Sequence, residues 1–96
     1  MLLKTPPLRD RAYLDSLRDE PCIITGRRGE VDPAHIGTAG RGIKNRDDWA
    51  LPISHSLHVE MHQHGEITVL RREAPDYVLR MAFQALAERM YREAKR

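Results

Sequence analysis

A chain of 96 residues is one domain near the lower size at which a hydrophobic core holds unaided, and Phe83, Trp49 and three tyrosines are its only large aromatics. With no apolar run of about 18 residues to span a bilayer, and a start (MLLKTPPLRD) lacking the apolar stretch of a secretory signal, a cytoplasmic protein with no membrane partner is expected. The single cysteine, Cys22, excludes an internal disulfide, and a net charge of +2 is too small to argue for nucleic acid by itself, although Arg27, Arg28, Arg41, Lys44 and Arg46 gather in the middle third.

The first predicted element is a helix between Pro7 and Glu20, with Leu8, Ala12, Leu14 and Leu17 as its apolar face and Pro21 as its stop. Cys22 to Thr25 is a short β-prone run ended by Gly26, and Glu30 to Ile36 returns as a strand after the turn signal Arg28-Gly29. Residues 37–48 (GTAGRGIKNRDD) hold three glycines and no apolar period, which predicts a long loop of the kind that carries function. Trp49 to Ile53 follows as a strand that Pro52 confines to an edge or an end.

Ser54, an N-cap hydroxyl, and Gly65, a C′ residue, frame a helix of roughly ten residues. Beyond it, Glu66 to Leu70 alternates as a weak strand or turn. Pro75-Asp76 opens a last helix with Leu79, Phe83, Leu86 and Met90 as one buried stripe, either core or dimer interface, so a monomer or a homodimer is expected. Segments 1–20, 21–65 and 66–96 thus form one α+β domain without internal repeats.

Four of the five histidines fall within HSLHVEMHQHG, residues 55–65. On a helix, positions i and i+4 lie on one face, so His58 and His62 are able to chelate one divalent ion, and His55 extends the same stripe while His64 points elsewhere. The spacing also suits a solvent-facing helix that happens to be rich in histidine. Imidazole nitrogens lean toward the softer divalent metals, within a range that includes Mg2+, Mn2+, Zn2+ and Ni2+. The fifth histidine, His35, ends a predicted strand in VDPAHI.

Strand, loop, strand and helix, with a histidine closing the first strand and H-x3-H on the helix, resembles the ββα-metal core of the His-Me finger, or HNH, nucleases. DPAHI, then GRGIKNRD, then LPISHSLHVEMH looks like the small HNH nucleases of phages and prophages, including the RecA-dependent group. The resemblance covers residues 21–65 and leaves the terminal helices as flanking elements. It implies a metal-dependent DNA endonuclease or nicking enzyme in a bacterial host cell, acting on single- or double-stranded DNA, with a recombinase as a possible partner. The products it implies are a 5′-phosphate and a 3′-hydroxyl.

Phosphodiester hydrolysis needs a base to deprotonate water and a Lewis acid to neutralise the leaving oxygen. His35 fits the first task and His58 with His62 the second, with His55 as a further ligand. Lys44, Arg41 and Arg46 on the loop suit phosphate contacts, and Lys44 and Arg41 also suit the catalytic task of steadying the transition-state charge. Asp47 is open between pairing with Lys44, fixing the loop and ligating metal. Asp32 lies on the strand face opposite His35 by alternation. Trp49 reads as a core anchor.

Three departures from the family pattern stand out. Ala34 occupies the position where many relatives place a metal ligand, which leaves His55, Asp47, Asp32, His64 or water as the third ligand. Trp49 stands where the family's asparagine would be, with Asp47 or Asp48 to take over its hydrogen bond. Many relatives carry two Cys-x2-Cys pairs around a structural zinc, whereas this chain has Cys22 with Thr25, and Ser54 with Leu57. No structural zinc is expected, and contacts of Ile23, Ile24 and Leu57 would replace it. A catalytically silent nucleic-acid-binding or phage recombination accessory protein on the same fold is the alternative.

Overall fold

Residues 8–37, 46–74 and 80–96 are described by the computed structural model of the chain. They form an α+β arrangement of one two-stranded antiparallel sheet, β1 (Val31–His35) and β2 (Ala50–Ser54), and four helices. Helix α1 (Arg11–Leu17) precedes the sheet, and α2 (His55–His64), α3 (Glu66–Glu73) and α4 (Arg80–Ala94) follow it. Among the described residues no helix is long and apolar enough to cross a membrane.

The register of the sheet runs from Val31 opposite Ser54 to His35 opposite Ala50, with Pro33 facing Pro52 at its centre. Just outside the strands, the Ile36 N–H donates to the Trp49 carbonyl at 3.0 Å and the His55 N–H to the Glu30 carbonyl at 2.7 Å. These bonds place the hydrogen-bonded pairs at even-numbered residues of β1. Pro33 and Pro52 therefore form a non-hydrogen-bonded pair, in which backbone groups point outward and neither missing N–H costs an interstrand bond. The outward carbonyl of Pro52 accepts the Ile23 N–H at 2.8 Å.

Alternation divides β2 between two cores. Leu51 and Ile53 join Cys22, Val31, Ala34 and Ile36 with Leu57 and Met61 of α2, Val69 and Leu70 of α3, and Phe83 and Ala87 of α4. Ala50 instead packs with Tyr13 and Leu17 of α1. Cross-strand partners share a face, so His35, opposite Ala50, lies on the α1 side, and Asp32, opposite Ile53, lies on the side of the later helices. Of the predicted C-terminal stripe, Phe83 is fully buried and Leu86 and Met90 are partly buried against the same core. Leu79 and the Pro75-Asp76 start lie outside the described residues, as do Pro6 and Pro7.

The strands and α2 fall close to the sequence expectation, and three other elements differ. Cys22 to Thr25 is a turn: the Gly26 N–H donates to the Cys22 carbonyl and the Cys22 N–H to the Arg27 carbonyl, each at 2.8 Å, with Gly26 at φ 77°. That closure leaves Ile23 40% exposed, so it does not pack in place of a zinc site. Glu66 to Leu70 is the start of helix α3. Gly65, at φ 95°, ends α2 and begins α3, taking the N–H of Val69 at 3.2 Å, and Val69, Leu70 and Ala74 then reach the core at helical spacing. A five-residue alternation is too short to select a strand against that burial. Helix α1 is shorter than residues 7–20, because Asp10 caps it by accepting the Tyr13 N–H at 3.0 Å and after Leu17 the chain tightens into i→i+3 turns, with the Arg18, Asp19 and Glu20 N–H groups on the Asp15, Ser16 and Leu17 carbonyls at 3.2, 3.2 and 3.1 Å.

Candidate functional site

His35 ends β1 and Asp47 opens a short 3-10 turn (Asp47–Trp49) that leads into β2. The antiparallel register closes the gap between them, and His35 Nε2 lies 3.0 Å from Asp47 Oδ1. Asp47 has a side chain only 5% exposed. Its Oδ2 accepts the Asp10 N–H at 2.7 Å, its Oδ1 faces Arg9 at 3.3 Å, and its own N–H donates to the Leu8 carbonyl at 3.0 Å. Burial alone would raise the Asp47 carboxyl. The hydrogen bonds from Asp10 and His35 and the charges of His35 and Arg9 outweigh it and hold the group below its ordinary value.

An ionised carboxylate only accepts hydrogen bonds, so His35 carries a proton on Nε2, and in the neutral ring the lone pair is then on Nδ1. Its side chain is 32% exposed. Among the described residues the contacts of Asp47 fix the chain around His35, while a pairing with Lys44 lies outside the described residues. Nothing in the sequence links Asp47 to Arg9 and Asp10, which are 38 and 37 residues away.

The second group stands on α2 and β1. His58 and His62, one turn apart, point Nε2 at Nε2 across 3.2 Å, with ring centroids 4.8 Å apart. Asp32 Oδ2 is 3.0 Å from His58 Nδ1 and 2.7 Å from His55 Nδ1, and its Oδ1 lies 3.6 Å from Arg18. Burial would raise the Asp32 carboxyl, but the hydrogen bonds and charges of His58 and His55 outweigh it and keep it low.

Two nitrogens bound to one ion at the usual 2.0–2.1 Å and a tetrahedral angle lie about 3.3 Å apart, so the His58–His62 separation fits a chelating pair. His55 turns Nδ1 to Asp32 instead of joining them, and His64 is exposed at the end of the helix. Among the described residues no three His, Cys, Asp or Glu side chains converge as a ligand set. His58 and His62 thus stand as a two-nitrogen pair on one face of α2.

The sequence-predicted site residues are thus brought into two groups, one on each face of the sheet. Arg41 and Lys44 lie outside the described residues. Arg46 is half exposed, forms a two-pronged ion pair with Asp48 at 2.9 and 2.8 Å, and stacks over the Trp49 ring. Trp49 is half-buried and donates its Nε1–H to Glu88 at 3.0 Å, which is an anchoring contact.

Around Cys22, burial would raise the thiol, yet hydrogen bonds from Thr25 and from the Ser54 and Ile24 backbone outweigh it and hold it below its ordinary value. Leu57 packs in the same core as Cys22. One thiol, two hydroxyls and an aliphatic chain are not a zinc-binding donor set. Beside this turn a cavity of about 370 Å³ opens between Thr25, Arg27, Arg28 and Glu30 and the start of α2 at Ser54–Leu57.

No protein-family profile, no curated protein and no solved structure matches the chain.

Proposed function

We propose that this chain is a metal-dependent DNA endonuclease or nicking enzyme of the ββα-metal type. The observation that carries the proposal is the pair of imidazole nitrogens 3.2 Å apart on the helix that directly follows the two strands. His58 and His62 would hold the divalent ion. When bound, the ion supplies Lewis-acid neutralisation of charge on the scissile phosphate and the departing 3′ oxygen.

His35 is the base. Asp47 fixes its Nε2–H, so Nδ1 takes the proton from the attacking water as the P–O bond to the 3′ oxygen breaks, and the 3′ oxygen is protonated from solvent. Arg41 and Lys44, on the segment after β1, would hold neighbouring phosphates. With phosphate contacts and no element placed to read base edges, low sequence preference is expected.

Supercoiled plasmid nicking in Mg2+, Mn2+, Zn2+ or Ni2+, run beside His35→Ala and His62→Ala, tests the proposal. Loss of about 100-fold or more in both variants supports it, since general-base and metal contributions are of that order. Parent-like nicking by His35→Ala overturns the assignment of the base. One observation favours a second reading: the register puts His35 on the α1 face and Asp32, with the imidazole pair, on the other. A silent nucleic-acid-binding module would shift DNA in a gel and cut it with none of the four metals.

A further inference from the structure

Asp32 occupies the second position of β1, and the register sets it beside the first turn of α2. Both of its imidazole contacts go to one oxygen, Oδ2, and both use Nδ1 of the histidine. A carboxylate donates nothing, so His55 and His58 each carry their ring proton on Nδ1. In the neutral His58 ring this leaves the lone pair on Nε2, the nitrogen facing His62, which then accepts the His62 Nε2–H at 3.2 Å in the metal-free protein. A carboxylate bonded behind a histidine fixes tautomer and ring plane together and raises the basicity of the nitrogen in front. Asp32 touches the far side of the ring from the His62 contact, so it stands behind the pair and not within it.

Resting on the metal reading above, we propose that Asp32 is the positioning residue of the His58–His62 pair, and that His55 is a second hydrogen-bond donor steadying Asp32 and not a ligand. Arg18, at the end of α1, completes the support from Oδ1 at 3.6 Å. The assignment explains why the first histidine of the helix, 64% exposed, turns its Nδ1 back to the strand. It also separates two roles that H-x2-H-x3-H spacing alone leaves equivalent.

Two measurements on the same variants test it, both above the imidazole titration range. Long-range proton–nitrogen spectra of metal-free protein report which ring nitrogen of His58 is protonated. Zn2+ competition against a chromogenic chelator reports affinity, and thermal melts confirm that each variant is folded. In the parent, His58 is expected as the Nδ1–H form. Asp32→Ala is expected to mix the two forms and to weaken Zn2+ by about 10–100-fold, the usual effect of losing such a support.

His55→Ala is expected to stay within about threefold of the parent, because it removes only a partner of the support. His62→Ala is expected to lose more than any of them. Should Asp32→Ala not fold, Asp32→Asn, which keeps the shape and loses the charge, takes its place. An unchanged His58 tautomer with parent-like affinity in the Asp32 variant overturns the positioning role alone. A loss in His55→Ala equal to that in His62→Ala overturns the assignment of His55. Absence of Zn2+ binding by the parent overturns the metal reading, and this assignment with it.

Discussion

Asp47 and Asp32 both sit within about 3 Å of imidazole nitrogens, yet they are built into the molecule differently. Asp47 is buried and bonded to the backbone of the segment before α1, so one histidine is a minor part of what it holds. Asp32 is 20% exposed and has only side chains for partners, two histidines and an arginine. The first carboxylate ties three chain segments together and incidentally fixes a ring. The second joins β1 to the first turns of α2 and to the end of α1 through side chains alone. A buried acceptor with backbone donors is expensive to lose, whereas a partly exposed one with side-chain donors is cheaper to lose.

The largest test of that contrast is a pair of truncations. Asp47→Ala strands the Asp10 N–H and the Arg9 and His35 donors, and a loss of about 3 kcal/mol in urea unfolding is expected. Asp32→Ala breaks contacts that water can replace, so less than about 1 kcal/mol is expected. Equal losses would erase the distinction.

Acid comes next. The Lys95 ammonium first, then the Tyr13 N–H and the Tyr91 hydroxyl, lower the Asp10 carboxyl from 3.8 to about 2. A depressed carboxyl binds protons more tightly in the unfolded chain, so its contribution is complete above about pH 4 and disappears as the pH falls toward 2. The melting temperature should fall across that window, and Asp10→Asn should flatten the fall by removing the clasp between the start of α1 and Lys95 after α4. An equally steep fall in the variant would place the acid sensitivity elsewhere.

The smallest expected effect belongs to Ser54. It is the N-cap of α2, but its hydroxyl makes no capping bond. Ser54→Ala should therefore change unfolding free energy by less than about 0.5 kcal/mol, where a working cap would lose about 1. A full loss of that size would mean that the hydroxyl caps the helix in solution.

The sequence made the strands and α2 legible because each is bounded by its own signals: the Arg28-Gly29 turn and the glycine loop on either side of β1, the same loop before β2, and Ser54 and Gly65 at the ends of the helix. Where a signal was only local it misled. The alternation in Glu66 to Leu70 gave way to burial of Val69 and Leu70, and the β-prone run at Cys22 gave way to Gly26, whose positive φ closes a turn.

The H-x3-H spacing located the imidazole pair, since it needs only helical geometry. The role of Asp32 depended on register, and alternation alone could place it opposite His35 without showing that its end of β1 abuts α2. Asp47 was hidden more deeply. Its partners come from the start of the chain, and no pattern in 37–48 points there.

The facing prolines have a consequence for self-association. Among the described residues the sheet has two strands, so each has an outer margin, and an open strand margin is the usual route to cross-β polymers. In the phase found here, Pro33 and Pro52 sit where the outward-facing amides of each strand would be. An incoming strand meets a missing donor at the middle of β1, and at the middle of β2 it meets both a missing donor and a carbonyl already taken by the Ile23 N–H. The residues that make this hairpin irregular also keep it from templating copies of itself.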